Sequence, residues 1–407
     1  MKNNFIFITL IFAAGLFFSS CNSSKKETQE TPEILLSVTD NKASCVFMTT
    51  DQNGIPAISW VEEKESASPK MFFARWQNDQ NKFGDKTEIP IPANTSVHEE
   101  GMPKIVFKQD GTLLATYESS TPVPNKKWGV SDLSYIESKD GGQSWTKPES
   151  IYKNKHQYSS PNFSGLNRLA DGEIGVAWLD NNPDPIIKNR PLMFAKSLKG
   201  GGFGDAVQVT TKSCECCRIA VSRNNPNEIV IAFRNLTDQK VRDIAMSVST
   251  DNGANFSEAE DISNDQWVVD GCPHNGPALA VDGNKKYFSW FTGKEGEDGI
   301  YFGVIENGKT TQKKLISQDG EFTQITVSKD GTPLIVYSEY YEKDNQTYMQ
   351  IMLAKPMDND FQKIRISNGD ANANHPMIQI LNESEVLIGW SEDNKAVYKK
   401  VSLSEFN

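Results

Sequence analysis

Apolar residues come in short runs along this chain, and the runs come in pairs. The stretch CVFMTTDQNGIPAISWVE, from Cys45, sets the frame: an apolar strand, a turn, then a strand ending in an aromatic and a polar or charged residue. The frame returns as PKIVFKQDGTLLATYE from Pro103, GLNRLADGEIGVAWLD from Gly165 and CRIAVSRNNPNEIVIAFRN from Cys217. It returns again as PALAVDGNKKYFSWF from Pro277, TQITVSKDGTPLIVYSE from Thr323 and HPMIQILNESEVLIGWSE from His375. Helical periodicity is scarce, and Asp-Gly and Asn-Gly turns separate the runs, so the pattern predicts an all-β chain.

Each copy is followed by a third apolar strand, such as KMFFARW or YMQIMLAK, and a shorter fourth, such as TEIPI or KIRIS. Seven units of four strands, repeating at roughly fifty to sixty residues, predict a seven-bladed β-propeller. The last unit stops after three strands. A spare fourth-strand pattern, EILLS at 34–38, precedes the first unit and is expected to close the ring by pairing into the last blade. Residues 34–407 then form the propeller as one domain.

Between third and fourth strands lie SKDGGQSW (Ser138, Asp140, Gly142, Trp145) and STDNGANF (Ser249, Asp251, Gly253, Phe256). These are Ser-x-Asp-x-Gly-x-x-aromatic hairpins. Glycine supplies a positive φ, Asp folds back onto backbone amides, and the aromatic fills the gap between blades. The hairpins resemble the Asp-boxes, or BNR repeats, of the sialidase-like propeller superfamily, whose true sialidases have six blades. The resemblance covers the mature chain and speaks for fold; a six-bladed ring is the alternative count.

Charge narrows the partners. A formal net charge of -11 makes nucleic acid an unsuitable ligand. The N-terminus, MKNNFIFITLIFAAGLFFSSC, has one lysine and an apolar stretch too short to span a bilayer. It resembles a bacterial lipoprotein signal (residues 1–21), in which Cys21 is lipidated. The polar stretch 22–33 is the expected tether. The expected location is the cell envelope, at the outer membrane, on its periplasmic or outer surface, as a monomer held to the membrane by lipid.

The rare residues are unevenly placed. The chain has 6 Cys and 4 His. Cys214, Cys216 and Cys217 share TKSCECCRI; Cys272 and His274 share DGCPHNG; His98 lies beside Glu99 in SVHEEGMPK. Propeller order assigns these stretches, with Cys45, His156 and His375, to blade-to-blade loops or the first turns of inner strands. They should ring the mouth of the central channel. Cys214, Cys216, Cys217, Cys272 and His274 are the chemistry of a soft or borderline ion, copper or zinc. A disulfide staple is the alternative, and with five cysteines after Cys21 at least one stays unpaired.

The expected ligand contacts at the mouth are His98, Glu99, Lys104, Asp180, Asp270 and Asn275, toward a glycan or other small ligand. Resemblance to sialidases implies a different chemistry: an arginine triad for a sugar carboxylate, and a tyrosine nucleophile helped by a glutamate. Arg218 and Arg234 match two of the arginines, Tyr337 and Glu339 the nucleophile pair, and the family's first arginine has no counterpart, since Lys104 stands in that segment. The functional expectation is ligand or metal binding at the mouth. A sialidase-type glycoside hydrolase and a non-catalytic interaction scaffold are the alternatives, and the sequence does not decide whether the protein is an enzyme.

Overall fold

The computed structural model describes residues 32–406, apart from positions 125, 188, 224 and 227. The expected signal segment (1–21) with Cys21, and most of the expected tether, lie outside the described residues. Strands of the described residues form seven antiparallel meanders arranged in chain order. Blade 1 is Lys42–Thr50, Pro56–Glu63 and Lys70–Gln77, with Lys82–Phe83 and Thr87–Ile89 on its outer edge. Blades 2 to 6 begin at Lys104–Phe107, Asn162–Arg168, Ala220–Val221, Ala278–Asp282 and Gly320–Val327. Blade 7 comprises Ala373–Ile380, Glu385–Glu392 and Lys395–Ser402, and its outermost strand is Ile34–Leu35, with Ile34 opposite Tyr398 and Leu35 opposite Val397.

The core is divided into slabs, one between each pair of neighbouring blades. Val106, Leu114 and Leu133 of blade 2 pack against Val176, Trp178 and Met193 of blade 3. Leu179 and Phe194 of blade 3 pack against Ile231 and Phe233 of blade 4, and so on around to Leu387 and Tyr398 against Ile58 and Trp76. A middle strand is therefore covered on both faces, which is why its sequence is continuously apolar. Ile174–Leu179 and Ile229–Arg234 are buried at every residue, whereas the outer strand Lys309–Ser317 is mostly exposed.

The two Asp-boxes behave as hydrogen-bonded clamps. Asp140 Oδ1 accepts from the amides of Gln143 and Ser144 at 3.0 and 2.9 Å, and Gly142 N donates to Ser138 Oγ at 2.8 Å. In the second box Asn255 N donates to Asp251 Oδ1 at 2.8 Å and Gly253 N to Ser249 Oγ at 2.9 Å. Side-chain hydrogen bonds from Ser144 Oγ and Asn255 Nδ2, together with the amide bonds to Asp140 and Asp251, hold both carboxyls below the usual aspartate range. Each box lies on a phenylalanine of the preceding blade. Trp145 and Phe256 are half-buried in the slabs beneath. Gly253 has φ +89, and a Cβ there would stand 2.5 Å from the Phe194 ring; Gly142, at φ +100, faces Phe73 in the same way. Gly253→Ala should therefore cost at least about 2 kcal/mol through φ strain and overpacking. Urea unfolding of the variant checks this, and a loss below half that value would show that Phe194 yields.

Four inner strands carry the same irregularity at their mouth end. Register slips between Ser44 and Phe47, Asn162 and Gly165, Glu321 and Gln324, and Asn374 and Met377. In each bulge the first inserted residue is left-handed: Cys45 (φ 59), Phe163 (φ 53), Phe322 (φ 52) and His375 (φ 51). His274, just before blade 5, has φ 50. None is glycine, so each holds a conformation costing about 1 kcal/mol or more. A bulge re-aims the side chain it carries: Phe163, Phe322 and His375 join the rim described below, whereas Cys45 is buried in the slab between blades 1 and 2.

Candidate functional site

A single short turn, Glu99–Gly101, spans the mouth. His98 caps it, its Nδ1 accepting from Glu100 N at 3.2 Å. Glu99 Oε1 accepts from Cys45 N at 3.0 Å and from Ser391 Oγ at 2.8 Å, tying the turn to blades 1 and 7. Glu99 Oε2 is buried without a hydrogen-bond partner, and burial raises the carboxyl's pKa. Glu100 faces the other way. It accepts from Arg218 Nη1 at 2.7 Å, Arg218 N at 3.0 Å and Gly276 N at 3.3 Å, while Arg218 Nη2 reaches Thr323 O at 2.6 Å. A cavity of about 900 Å³ runs along the channel from this turn to the hairpins of the opposite face at Asn53, Gly54 and Lys329.

Beside the turn sits the sulfur cluster. Blade 3 ends at Ser213, whose hydroxyl donates to Arg190 O, and the chain then turns sharply inward. Cys214 Sγ lies 4.0 Å from Cys216 Sγ and 3.9 Å from Cys217 Sγ. All three residues are buried, with Phe163 packed against them. Cys216 also groups with Cys272 and His274, the three donor atoms lying within 4.8 Å of one another. Cys272 is exposed, with its Sγ 3.8 Å from Glu215 Oε2. Arg242 Nη1 donates to Cys214 Sγ at 2.8 Å. Hydrogen bonds from the two neighbouring thiols, with Arg242 alongside, hold Cys214 well below the usual thiol range. Those same thiols are raised, Cys216 mainly by its hydrogen bonds to the other two and Cys217 mainly by burial.

The alternative of a disulfide staple is not seen among the described cysteines. All five described cysteines are free, and separations of 3.9–4.0 Å are about twice a sulfur–sulfur bond. Cys45 stands apart, buried on the Glu99 side, where desolvation raises its thiol pKa.

Aromatic rings complete the rim. His98 lies 5.6 Å from His274 and 5.9 Å from Phe163 between ring centroids, and His375 stacks on Phe322 at 3.9 Å. Burial lowers the pKa of His375 to about 3, with Arg218 adding to the effect, and also lowers that of His98. His156 is elsewhere, its Nε2 3.1 Å from Asn181 O and 3.3 Å from Asp180 Oδ2.

The residues matched to sialidase chemistry occupy structural positions. The Arg234 guanidinium is 1 % exposed and donates to the carbonyls of Arg242, Asn275 and Phe291. Tyr337 is fully buried in the slab between blades 5 and 6, and burial raises its phenol pKa, the wrong direction for a nucleophile. Glu339 accepts from Ser317 Oγ and Gln350 Nε2. Arg218 is committed to Glu100.

Of the remaining candidates, Lys104 lines the cavity with Glu99, Glu100 and Arg218, whereas Asp180, Asn275 and Asp270 do not. Asp180 is buried and accepts from the amides of Ser160 and Asn181; Asn275 is buried and accepts from Phe322 N. Asp270 is exposed and paired with Lys240 at 2.6 Å. Lys104 is buried, its ammonium donating to Met102 O at 2.8 Å. Glu118, at the mouth end of blade 2, accepts from Ser164 N at 3.0 Å. Glu100, Phe163 and Phe322 are members of the site that the sequence does not single out. Nothing local marks Glu100, whose partner is 118 positions away.

Seven four-stranded blades, Asp-box clamps and a mouth built from inter-blade loops define a sialidase-like BNR propeller. The BNR repeat-like domain matches residues 59–280, and the chain belongs to that family. Among curated proteins, none matches the chain in sequence. Solved structures with the same architecture include the BP39L lectin from Burkholderia pseudomallei (9% identity, 89% of this chain and 97% of that one, TM-score 0.63). A polysaccharide lyase, an ulvan lyase, is also similar (12% identity, 92% and 99%, TM-score 0.58). So is the intramolecular trans-sialidase of Ruminococcus gnavus (9% identity, 92% and 98%, TM-score 0.54). At such identities the likeness is one of fold.

Proposed function

We propose that this propeller binds a soft metal ion, copper(I) or zinc(II), at the sulfur cluster beside its channel mouth. The observation that carries the reading is the spacing of Cys214 from Cys216 and Cys217, 4.0 and 3.9 Å. An ion about 2.3 Å from three sulfurs in a plane sets them about 4.0 Å apart. Cys214 thus already stands at coordination spacing from both other thiols, and all three sulfurs lie within 4.8 Å of one another. Arg242 donates to Cys214 from outside the triad, as partners of metal thiolates do, and offsets part of their charge. An envelope location with a lipid on Cys21 suits this reading, because the ion would be met outside the cytoplasm.

The test is elemental analysis of the full chain, purified without chelator and then exposed under reducing, oxygen-free conditions to copper(I) or zinc(II). Stoichiometric metal is expected in the parent, with affinity at least ten-fold lower in Cys217→Ser. A parent chain that retains neither metal overturns the proposal.

A second reading, a carbohydrate ligand at the same mouth, is favoured by the ring faces of His98, Phe163, Phe322 and His375. A sialidase-type hydrolase finds less support, because Arg234 and Tyr337 are enclosed.

A further inference from the structure

The cysteine and histidine donors do not form one shell. They fall into two overlapping triads, Cys214–Cys216–Cys217 and Cys216–Cys272–His274, with Cys216 in both. The first triad is buried throughout; the second reaches the surface at Cys272. Resting on the metal-binding reading above, we infer that the site holds two copper(I) ions, one in each triad, bridged by the Cys216 thiolate.

Three observations lead there. A thiolate keeps lone pairs after binding one ion, so a sulfur common to two triads can serve both. Each position offers three donors; copper(I) accepts three soft ligands, whereas protein zinc is almost always four-coordinate. Charge points the same way. Four thiolates around a single monovalent ion would leave a large negative charge in a mostly buried cluster. Two such ions, with Arg242 at 2.8 Å from Cys214 Sγ, offset all but about one of the four negative charges. The outer triad then doubles as the loading point, since Cys272 is the one exposed donor thiol.

Anaerobic titration of the reduced full chain with copper(I), against a colorimetric copper(I) chelator, measures ions bound per chain. Two ions are expected for the parent and one each for Cys272→Ser and Cys217→Ser. Cys272 is exposed, so its variant should melt at the parent's temperature and its stoichiometry can be read without a folding defect. One ion in both the parent and Cys272→Ser overturns the bridged pair and leaves the single buried site standing. Two ions retained in Cys272→Ser place the second ion elsewhere and also overturn the pair. No copper in the parent overturns the copper pair, and a parent that also retains no zinc overturns the metal-binding reading itself.

Discussion

Replacing Glu100 with alanine should remove about 3–5 kcal/mol of stability, the range for breaking one partner out of a buried ion pair. Glu100 is 2 % exposed and satisfies a guanidinium and two backbone amides at once. Without it the Arg218 charge stays in place, enclosed, with the Thr323 carbonyl as its remaining side-chain hydrogen-bond acceptor. The Arg218 Nε is already buried without a partner, so the guanidinium has no spare bond to fall back on. Since domains of this kind are stable by about 5–15 kcal/mol, the change approaches the whole margin. Denaturant midpoints give the measurement. Pairing the change with Arg218→Met should recover part of the loss, because both charges are then gone. A loss under about 1 kcal/mol for Glu100→Ala would mean that water reaches Arg218 and the mouth is open there.

Glu118 sets the second large effect, a dependence on pH. Burial pushes its carboxyl up to about 7, with Lys104 and the Ser164 amide pulling back. A folded pKa above the unfolded one means that the native state holds the proton more tightly. The associated stability is complete below about pH 4.5 and is lost as pH rises through 7. Relative to Glu118→Gln, which keeps an acceptor for Ser164, the parent should lose about 2–3 kcal/mol between pH 4.5 and pH 7.5. Lys104 runs the opposite way. Burial lowers its ammonium to about 8, so its share is complete above pH 10.5 and is lost as pH falls to 8. Parallel stability curves for parent and Glu118→Gln would show that the carboxyl is hydrated in the folded state.

The blades were legible because a strand covered on both faces must be apolar throughout, and seven such pairs leave a periodic trace. The Asp-boxes were legible because their hydrogen bonds are local. So was the gathering of Cys214, Cys216, Cys217, Cys272 and His274, which follows from blade order. The misplaced residues share one cause. Strand ends such as Trp178-Leu-Asp180 and Tyr337-Ser-Glu339 look the same whether they face the mouth or a neighbouring blade. Alternation separates core from water in a half-exposed sheet, but both faces of a propeller strand are core. Tyr337 therefore proved to be slab packing, and Arg234 a support for loop carbonyls. The left-handed bulges at Cys45, Phe163, Phe322 and His375 left no trace, because none uses the glycine or asparagine that usually marks such a conformation.

The turn at His98–Gly101 carries a consequence for how the molecule comes together and apart. Its partners lie 54, 118, 176 and 292 positions away in sequence, at Cys45, Arg218, Gly276 and Ser391. Local hairpins can form early, but contacts this distant wait for the remaining chain to arrive. The turn is therefore expected to lock late, its bonds belonging to the native basin more than to the transition state. Weakening them should leave the folding rate nearly unchanged and speed unfolding, which stopped-flow refolding and unfolding of Glu100→Ala would check. The propeller's kinetic lifetime is thus expected to depend strongly on the four residues of this one turn.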